Sequence, residues 1–223
     1  MQEEITIKHS DFITHNVLHF KTDKPEGYYF TPGQATELSI SREGWKTEKR
    51  PFTFTSLPGE DHLEFTMKVY PSLEGVTKEL PGLAKGDSFI VRDVWGTINY
   101  KGPGVFIAGG AGVTPFIAIF KDLAKKDALK GNKLLFANKT SRDIILKEEF
   151  EEWLGDNFIN ILSQEETSEY AFGHIHKKFL KEHIEDFSRH FYICGPPEFM
   201  ETVEAALKEL GMPEEKLVKE GLE

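Results

Sequence analysis

At 223 residues, with 39% hydrophobic and 12% aromatic side chains, the chain is long enough for two ordinary domains with separate cores, and no apolar run in it reaches membrane-spanning length. A net charge of −10 disfavours nucleic acid and anionic membrane surfaces as general partners. Cys194 is the only cysteine, which excludes an intramolecular disulfide and a four-thiolate iron–sulfur cluster, and residues 1–4 lack the basic and apolar parts of a secretory signal, so a cytoplasmic protein is expected.

The first hundred residues favour strands. Ile5-Thr6-Ile7 alternates, Val17 to Phe20 and Thr36 to Ile40 read as strands, and Pro25, Gly27, Pro32 and Gly33 punctuate them. Phe52 to Thr55 and Leu63 to Val69 continue the pattern across a turn at Pro58 to Asp61, and one short helix is expected at Gly75 to Leu80. Short strands separated by turn signals predict a small barrel. From Gly104 the texture changes to strands alternating with helices, which predicts a parallel sheet covered on both faces. The boundary is placed near Tyr100 to Pro103, giving domains 1–100 and 101–223. Strands are predicted at Val105 to Ala108, Lys133 to Asn138, Phe158 to Leu162 and Phe191 to Cys194. Helices are predicted from Pro115, at Leu146 to Trp153, at His176 to Ile184 and at Pro197 to Leu210. The charge runs Lys121 to Lys130 and Glu148 to Glu152 read as solvated helix faces.

Four segments carry chemistry-bearing residues. Arg50-Pro51-Phe52-Thr53 stands at a strand entry, where an arginine can hold a diphosphate, an aromatic ring can pack on a ring system and a hydroxyl can reach a ring nitrogen; a surface arginine beside core residues is the competing reading. Lys68-Val69-Tyr70 leads to Glu74-Gly75-Val76-Thr77-Lys78, where backbone amides at a helix start can meet phosphate or simply close the barrel. Between the strand ending at Ala108 and the next helix, Gly109-Gly110-Ala111-Gly112-Val113-Thr114-Pro115 supplies three glycines for a tight turn. Pro115 fits a first helical position, although it stands where the usual dinucleotide fingerprint has its last glycine. Cys194-Gly195-Pro196-Pro197 also lies at a strand-to-helix junction, and ligands of doubly wound sheets bind at such carboxyl ends.

After the second parallel strand, in the segment that includes Thr140, Lys139, Ser141 and Arg142 favour a 2′-phosphate and hence NADP; Asp143 beside Arg142 tempers that preference, with NAD as the alternative. His174 and His176 lack the partners of a metal site, and none is expected.

In their order along the chain, Arg50-Pro51-Phe52-Thr53, Gly75-Val76-Thr77, Gly109 to Pro115 and Cys194-Gly195-Pro196-Pro197 resemble the ferredoxin–NADP reductase superfamily, as do Pro32-Gly33-Gln34 and Trp95-Gly96-Thr97. The resemblance implies a two-domain β plus α/β protein: an N-terminal antiparallel Greek-key β-barrel binding FAD, and a C-terminal doubly wound parallel-sheet domain binding NAD(P)H. It implies that Arg50 binds flavin phosphate, Phe52 packs on the isoalloxazine and Thr53 reaches its reactive nitrogen. Cofactor contacts are expected at Arg50, Pro51, Phe52, Thr53, Lys68, Val69, Tyr70, Gly75, Val76 and Thr77 for FAD. For the dinucleotide they are expected at Gly110, Ala111, Gly112, Thr114, Pro115, Thr140, Ser141, Arg142, Cys194, Gly195 and Pro196. Thr53, Cys194 and Glu220 are the expected catalytic residues, Glu220 resembling an acid near the family's terminus. Three positions depart from the family pattern: Phe52 replaces tyrosine, Lys78 replaces serine, and Leu222 stands where plant-type members end in an aromatic.

The function implied by the resemblance is that of a reductase moving hydride from NAD(P)H to FAD and single electrons to a ferredoxin- or flavodoxin-like carrier; because such carriers and this chain are both acidic, docking needs a local basic face, for which Lys46, Lys49, Lys68 and Lys78 are the candidates. A flavin-binding electron-transfer subunit and a reductase of free flavin or ferric chelates are the alternatives.

Overall fold

The computed structural model describes residues 2–71 and 75–220. Glu74 and Leu222, singled out from the sequence, lie outside the described residues. Two compact units emerge: residues up to Asn99 together with Thr114–Asp122, and Tyr100–Val113 together with the residues from Leu123 onward.

The first unit is built on strands β1 (Glu3–Thr14), β2 (Val17–Asp23), β3 (Ala35–Ile40), β4 (Arg50–Thr53), β5 (His62–Lys68) and β6 (Ser88–Trp95), with the single-turn helix α1 (Val76–Glu79) between the last two. They form one antiparallel sheet in the order β4-β3-β6-β1-β2-β5. The two edge strands meet where Phe54 bridges Phe65, and Thr55 N–H donates to Glu64 O at 2.8 Å, so the sheet curls into a barrel and its edges are paired. Inward-pointing Phe20, Phe54, Phe65 and Phe89 are fully buried, with Phe30 stacked on Phe54 at 4.2 Å between centroids. Gly33 has φ +99, and a Cβ there would stand 2.4 Å from Ile98 O; only glycine allows the chain to enter β3 at that point.

Sequence patterning misses β6 and places the fourth strand one residue pair too far along. Phe89-Ile90-Val91 are buried consecutively in a strand flanked on both sides, so the alternation that marks a half-exposed strand is absent there.

Lys121 also departs from expectation. It does not lie on a solvated face: its Nζ donates to Thr55 O at 2.8 Å and to Glu64 Oε2 at 2.7 Å. Burial alone pushes the Glu64 carboxyl up, but hydrogen bonds and charge from His19 and Lys121 outweigh it and hold the group at about 2. A depressed carboxyl stabilises the fold above its ordinary value and loses that contribution as pH falls toward 2. Lys121→Met is therefore expected to lower stability by about 2 kcal/mol near neutral pH, because it leaves a half-buried carboxylate short of its counter-charge. In urea titrations the deficit should narrow as pH is taken below about 4.5; a deficit independent of pH would mean lost packing instead.

The second unit carries β7 (Gly104–Gly109), β8 (Lys133–Asn138), α3 (Lys147–Leu154), β9 (Phe158–Leu162), β10 (Ala171–Phe172), α4 (Lys177–His183), β11 (His190–Cys194), α5 (Pro197–Glu209) and β12 (Leu217–Lys219), while α2 (Thr114–Lys125) starts in the first unit's segment. Its six strands are parallel in the order β10-β9-β8-β7-β11-β12. The short β10 and β12 were not expected from the sequence, since strands of two and three residues carry no periodicity and are defined only by their partners. The sheet runs outward from β7 in both directions, so the β7–β11 boundary is its topological switch point. α4 begins as expected on a polar residue: His176 Nδ1 accepts from Phe179 N–H. Among the described residues, no helix is long and apolar enough to cross a membrane.

Candidate functional site

In the first unit, β4 pairs with β3 so that Thr53 opposes Ala35 and Arg50 opposes Leu38. Arg50 and Pro51 are exposed, Thr53 is half-buried, and Phe52 is half-buried against the barrel core. Arg50 is anchored by Nη1–H donation to Lys49 O at 2.7 Å. Its guanidinium reaches the start of α1, where Gly75 has φ +121 and a Cβ would stand 2.9 Å from Arg50 Nη2. The sequence places these two residues 25 positions apart. The fold brings them into one cradle, where a forked cation faces the first-turn amides of a helix whose N-cap lends no side-chain hydrogen bond. A side chain at position 75 would fill the space between them.

Val76 is buried behind the cradle. Lys68 ends β5, Val69 N–H is spent on Asn16 O, and Tyr70 is partly exposed with its hydroxyl pushed up by burial. Thr114 Oγ1, at the start of α2, lies 3.5 Å from Thr53 Oγ1 within this same unit.

In the second unit, the two turns at the switch point pack backbone to backbone. Cys194 is in register with Ala108, and a Cβ on Gly112 would stand 2.2 Å from Cys194 O and 2.6 Å from Gly195 N. Phe199, to which no sequence motif pointed, sits against both Gly109 and Gly195, so its ring excludes a side chain at either. Residues Gly110 to Val113 form a tight 3-10 turn leading directly to Thr114 and Pro115 at the head of α2.

The Cys194 thiol is raised to about 12, first by burial and then by the charge of Glu220. β12 runs parallel to β11 with Lys219 opposite Ile193, which carries Glu220 alongside Cys194. Both causes favour the protonated thiol, which makes Cys194 a poor nucleophile.

Thr140, Ser141 and Arg142 follow β8 in a capped 3-10 turn. Asp143 is buried and accepts from Thr140 N–H at 3.1 Å and Thr140 Oγ1 at 2.8 Å, so its carboxylate is aimed into the turn, and Arg142 is exposed. Elsewhere, Glu60, His62 and Glu64 bring three ligand atoms within 4.8 Å of one another, but the Lys121 ammonium already supplies the positive charge there.

An arginine beside a glycine-started helix on a barrel, and a glycine-lined switch point on a doubly wound sheet, are accompanied by matches to two families of cofactor-binding domain. Residues 2–86 match the family model of an FAD-binding domain, and residues 106–205 match that of an oxidoreductase NAD-binding domain. The chain is thus an FAD-dependent NAD(P)H oxidoreductase in class, an FAD-binding domain followed by an oxidoreductase NAD-binding domain, and its fold is that of the ferredoxin–NADP reductases. It is 28% identical over 232 residues to NADH-cytochrome b5 reductase 1 of Aspergillus terreus, covering 94% of this chain and 78% of that one. It is 26% identical over 244 residues to nitrate reductase [NAD(P)H] of Hordeum vulgare, covering 89% of this chain but spanning only 27% of that enzyme's length. The fold matches a ferredoxin NADP+ reductase from Neisseria gonorrhoeae, solved with bound FAD and NADP, at TM-score 0.83 and 17% identity, over 98% of this chain and 97% of that one.

Proposed function

We propose that this chain takes hydride from NAD(P)H onto FAD and passes the electrons singly to a small carrier protein. The observation that supports it best is the approach of the Arg50 guanidinium to Gly75 at the start of α1, an arrangement able to hold a diphosphate. Bound FAD supplies the exchange between a two-electron donor and a one-electron acceptor. The chain's residues bind and orient. Arg50 and the amides of Val76 and Thr77 hold the diphosphate, Phe52 and Tyr70 face the flavin, and Thr53 donates to its ring nitrogen. The turns at residues 110–115 and 194–196, together with Lys68, complete the two cofactor sites. Cys194 packs its thiol on the nicotinamide, kept protonated by burial first and by the charge of Glu220 second.

For the acceptor, a haem protein of cytochrome b5 type is favoured by the name of a relative that this chain covers well, with a ferredoxin or flavodoxin as the second reading. Lys46, Lys49 and Lys78 are exposed on the first unit, although Lys49 lies 3.3 Å from Glu37. Purified protein should bind FAD and oxidise NADH or NADPH with ferricyanide. Its reduction of cytochrome b5, compared with ferredoxin and flavodoxin at low and high salt, identifies the carrier, and the productive pair should slow as salt rises. A colourless preparation with no affinity for added FAD removes this reading; a salt-independent rate favours free flavin or a ferric chelate as the acceptor.

A further inference from the structure

We propose that Glu60, His62 and Glu64 form a zinc site on the barrel, one that clips the turn before β5 onto the strand. One ligand atom from each side chain lies within 4.8 Å of the other two. Two of the three share a face, because alternation along β5 directs His62 and Glu64 to the same side. Glu60 comes from the turn, which is fastened by Lys24 Nζ donating to Pro58 O at 2.6 Å and to Glu60 O at 3.2 Å. The His62 and Glu64 side chains are each 15% exposed and that of Glu60 34%, so an ion can enter and is then sheltered.

His62 Nδ1–H donates to the Asp61 carboxylate at 2.9 Å, which leaves the lone pair on Nε2. Nε2 lies 3.5 Å from Glu60 Oε2 and 3.4 Å from Glu64 Oε1. Three electron-rich atoms therefore converge, at separations that match the edges, about 3.4 Å, of a tetrahedron with metal–ligand arms of about 2.1 Å. Leu57 N–H donates to Glu60 Oε2 at 2.8 Å, which orients that carboxylate as outer-shell partners orient metal ligands. Lys121 and His19 approach from elsewhere: both address Glu64 Oε2, at 2.7 Å and 3.7 Å, while Oε1 is turned to His62. Lys121 thus supplies one positive charge against the three carboxylates of Glu60, Asp61 and Glu64, and a dication on the Oε1 side is still attracted. One imidazole and two carboxylates are donors that suit Zn²⁺, with water as its fourth ligand.

Calorimetric titration of the whole chain with zinc chloride, with thermal melting alongside, tests the site. Wild type should take up Zn²⁺ and melt higher with it. His62→Gln, which removes the ring nitrogen, should weaken Zn²⁺ by about a hundredfold and lose the rise in melting temperature. Asp61→Asn, which touches only the far side of the imidazole, should weaken it by about tenfold. Glu60→Gln serves in place of His62→Gln should that variant not fold. No uptake of Zn²⁺ by wild type below about 100 μM overturns the proposal, and the cluster is then an imidazolium held between two carboxylates. Uptake unchanged in His62→Gln or Glu60→Gln also overturns it, because the ion then binds elsewhere on the chain.

Discussion

Arg50→Ala should bind FAD about a hundredfold more weakly than wild type, because a forked pair of charge-assisted hydrogen bonds to phosphate contributes roughly 3 kcal/mol and alanine replaces neither. The fold should survive. Arg50 is exposed and its anchoring bond goes to the neighbouring Lys49 carbonyl, so the barrel core beneath it, including fully buried Phe54, is untouched. Flavin fluorescence during titration gives the affinity, and far-ultraviolet circular dichroism checks the fold. Arg50→Lys should recover only part of the loss, since an ammonium offers a point charge where the site has room for a planar fork. Gly75→Ala attacks the same cradle from the other side: with φ +121 and Arg50 Nη2 at 2.9 Å from the new Cβ, it strains the turn and pushes the guanidinium away. Both variants should therefore weaken FAD while leaving binding of 5′-AMP unchanged. Wild-type FAD affinity in Arg50→Ala removes the cradle from the site.

The candidate segments that the sequence makes legible are those whose chemistry is local. A glycine that must take positive φ, a proline at a helix start and an arginine at a strand entry announce themselves within four or five residues, which is why the Arg50, Gly75, Gly110–Pro115 and Cys194–Pro196 segments could be read before the fold. What joins them could not. Arg50 meets Gly75 only because the sheet closes through the Phe54–Phe65 bridge. Lys121 fails for a related reason. Helical periodicity marks its face as polar, and nothing near it in sequence foretells that Glu64 and the Thr55 carbonyl will cover that face. Charge patterns describe what a helix could show to water; tertiary pairing decides what it does show.

Gly112→Ala is expected to be the most damaging single methyl in the second unit. The added carbon would sit 2.2 Å from the Cys194 oxygen, 2.5 Å from its carbonyl carbon and 2.6 Å from Gly195 nitrogen. All three are backbone atoms at the end of a strand held on both sides by β7 and β12, so no side-chain rotation relieves the contact and one turn must move. A destabilisation of about 3 kcal/mol is expected. Gly110→Ala is the comparison: its φ of +53 is unfavourable for alanine, but nothing lies within 4 Å of the new carbon, so its cost should stay near about 1 kcal/mol. Urea denaturation separates the two, and the difference between them measures close approach, not backbone strain. Function should suffer through the same geometry. Under the proposed function, separating the two turns shifts the backbone of Gly110 to Val113 and the Cys194 thiol, so kcat/KM for NADH should fall by about a hundredfold or more, while the FAD site proposed around Arg50 in the first unit stays occupied. A Gly112→Ala protein as stable as Gly110→Ala, with NADH kinetics intact, would mean that the β7 and β11 turns tolerate separation and that their contact does not position the nicotinamide.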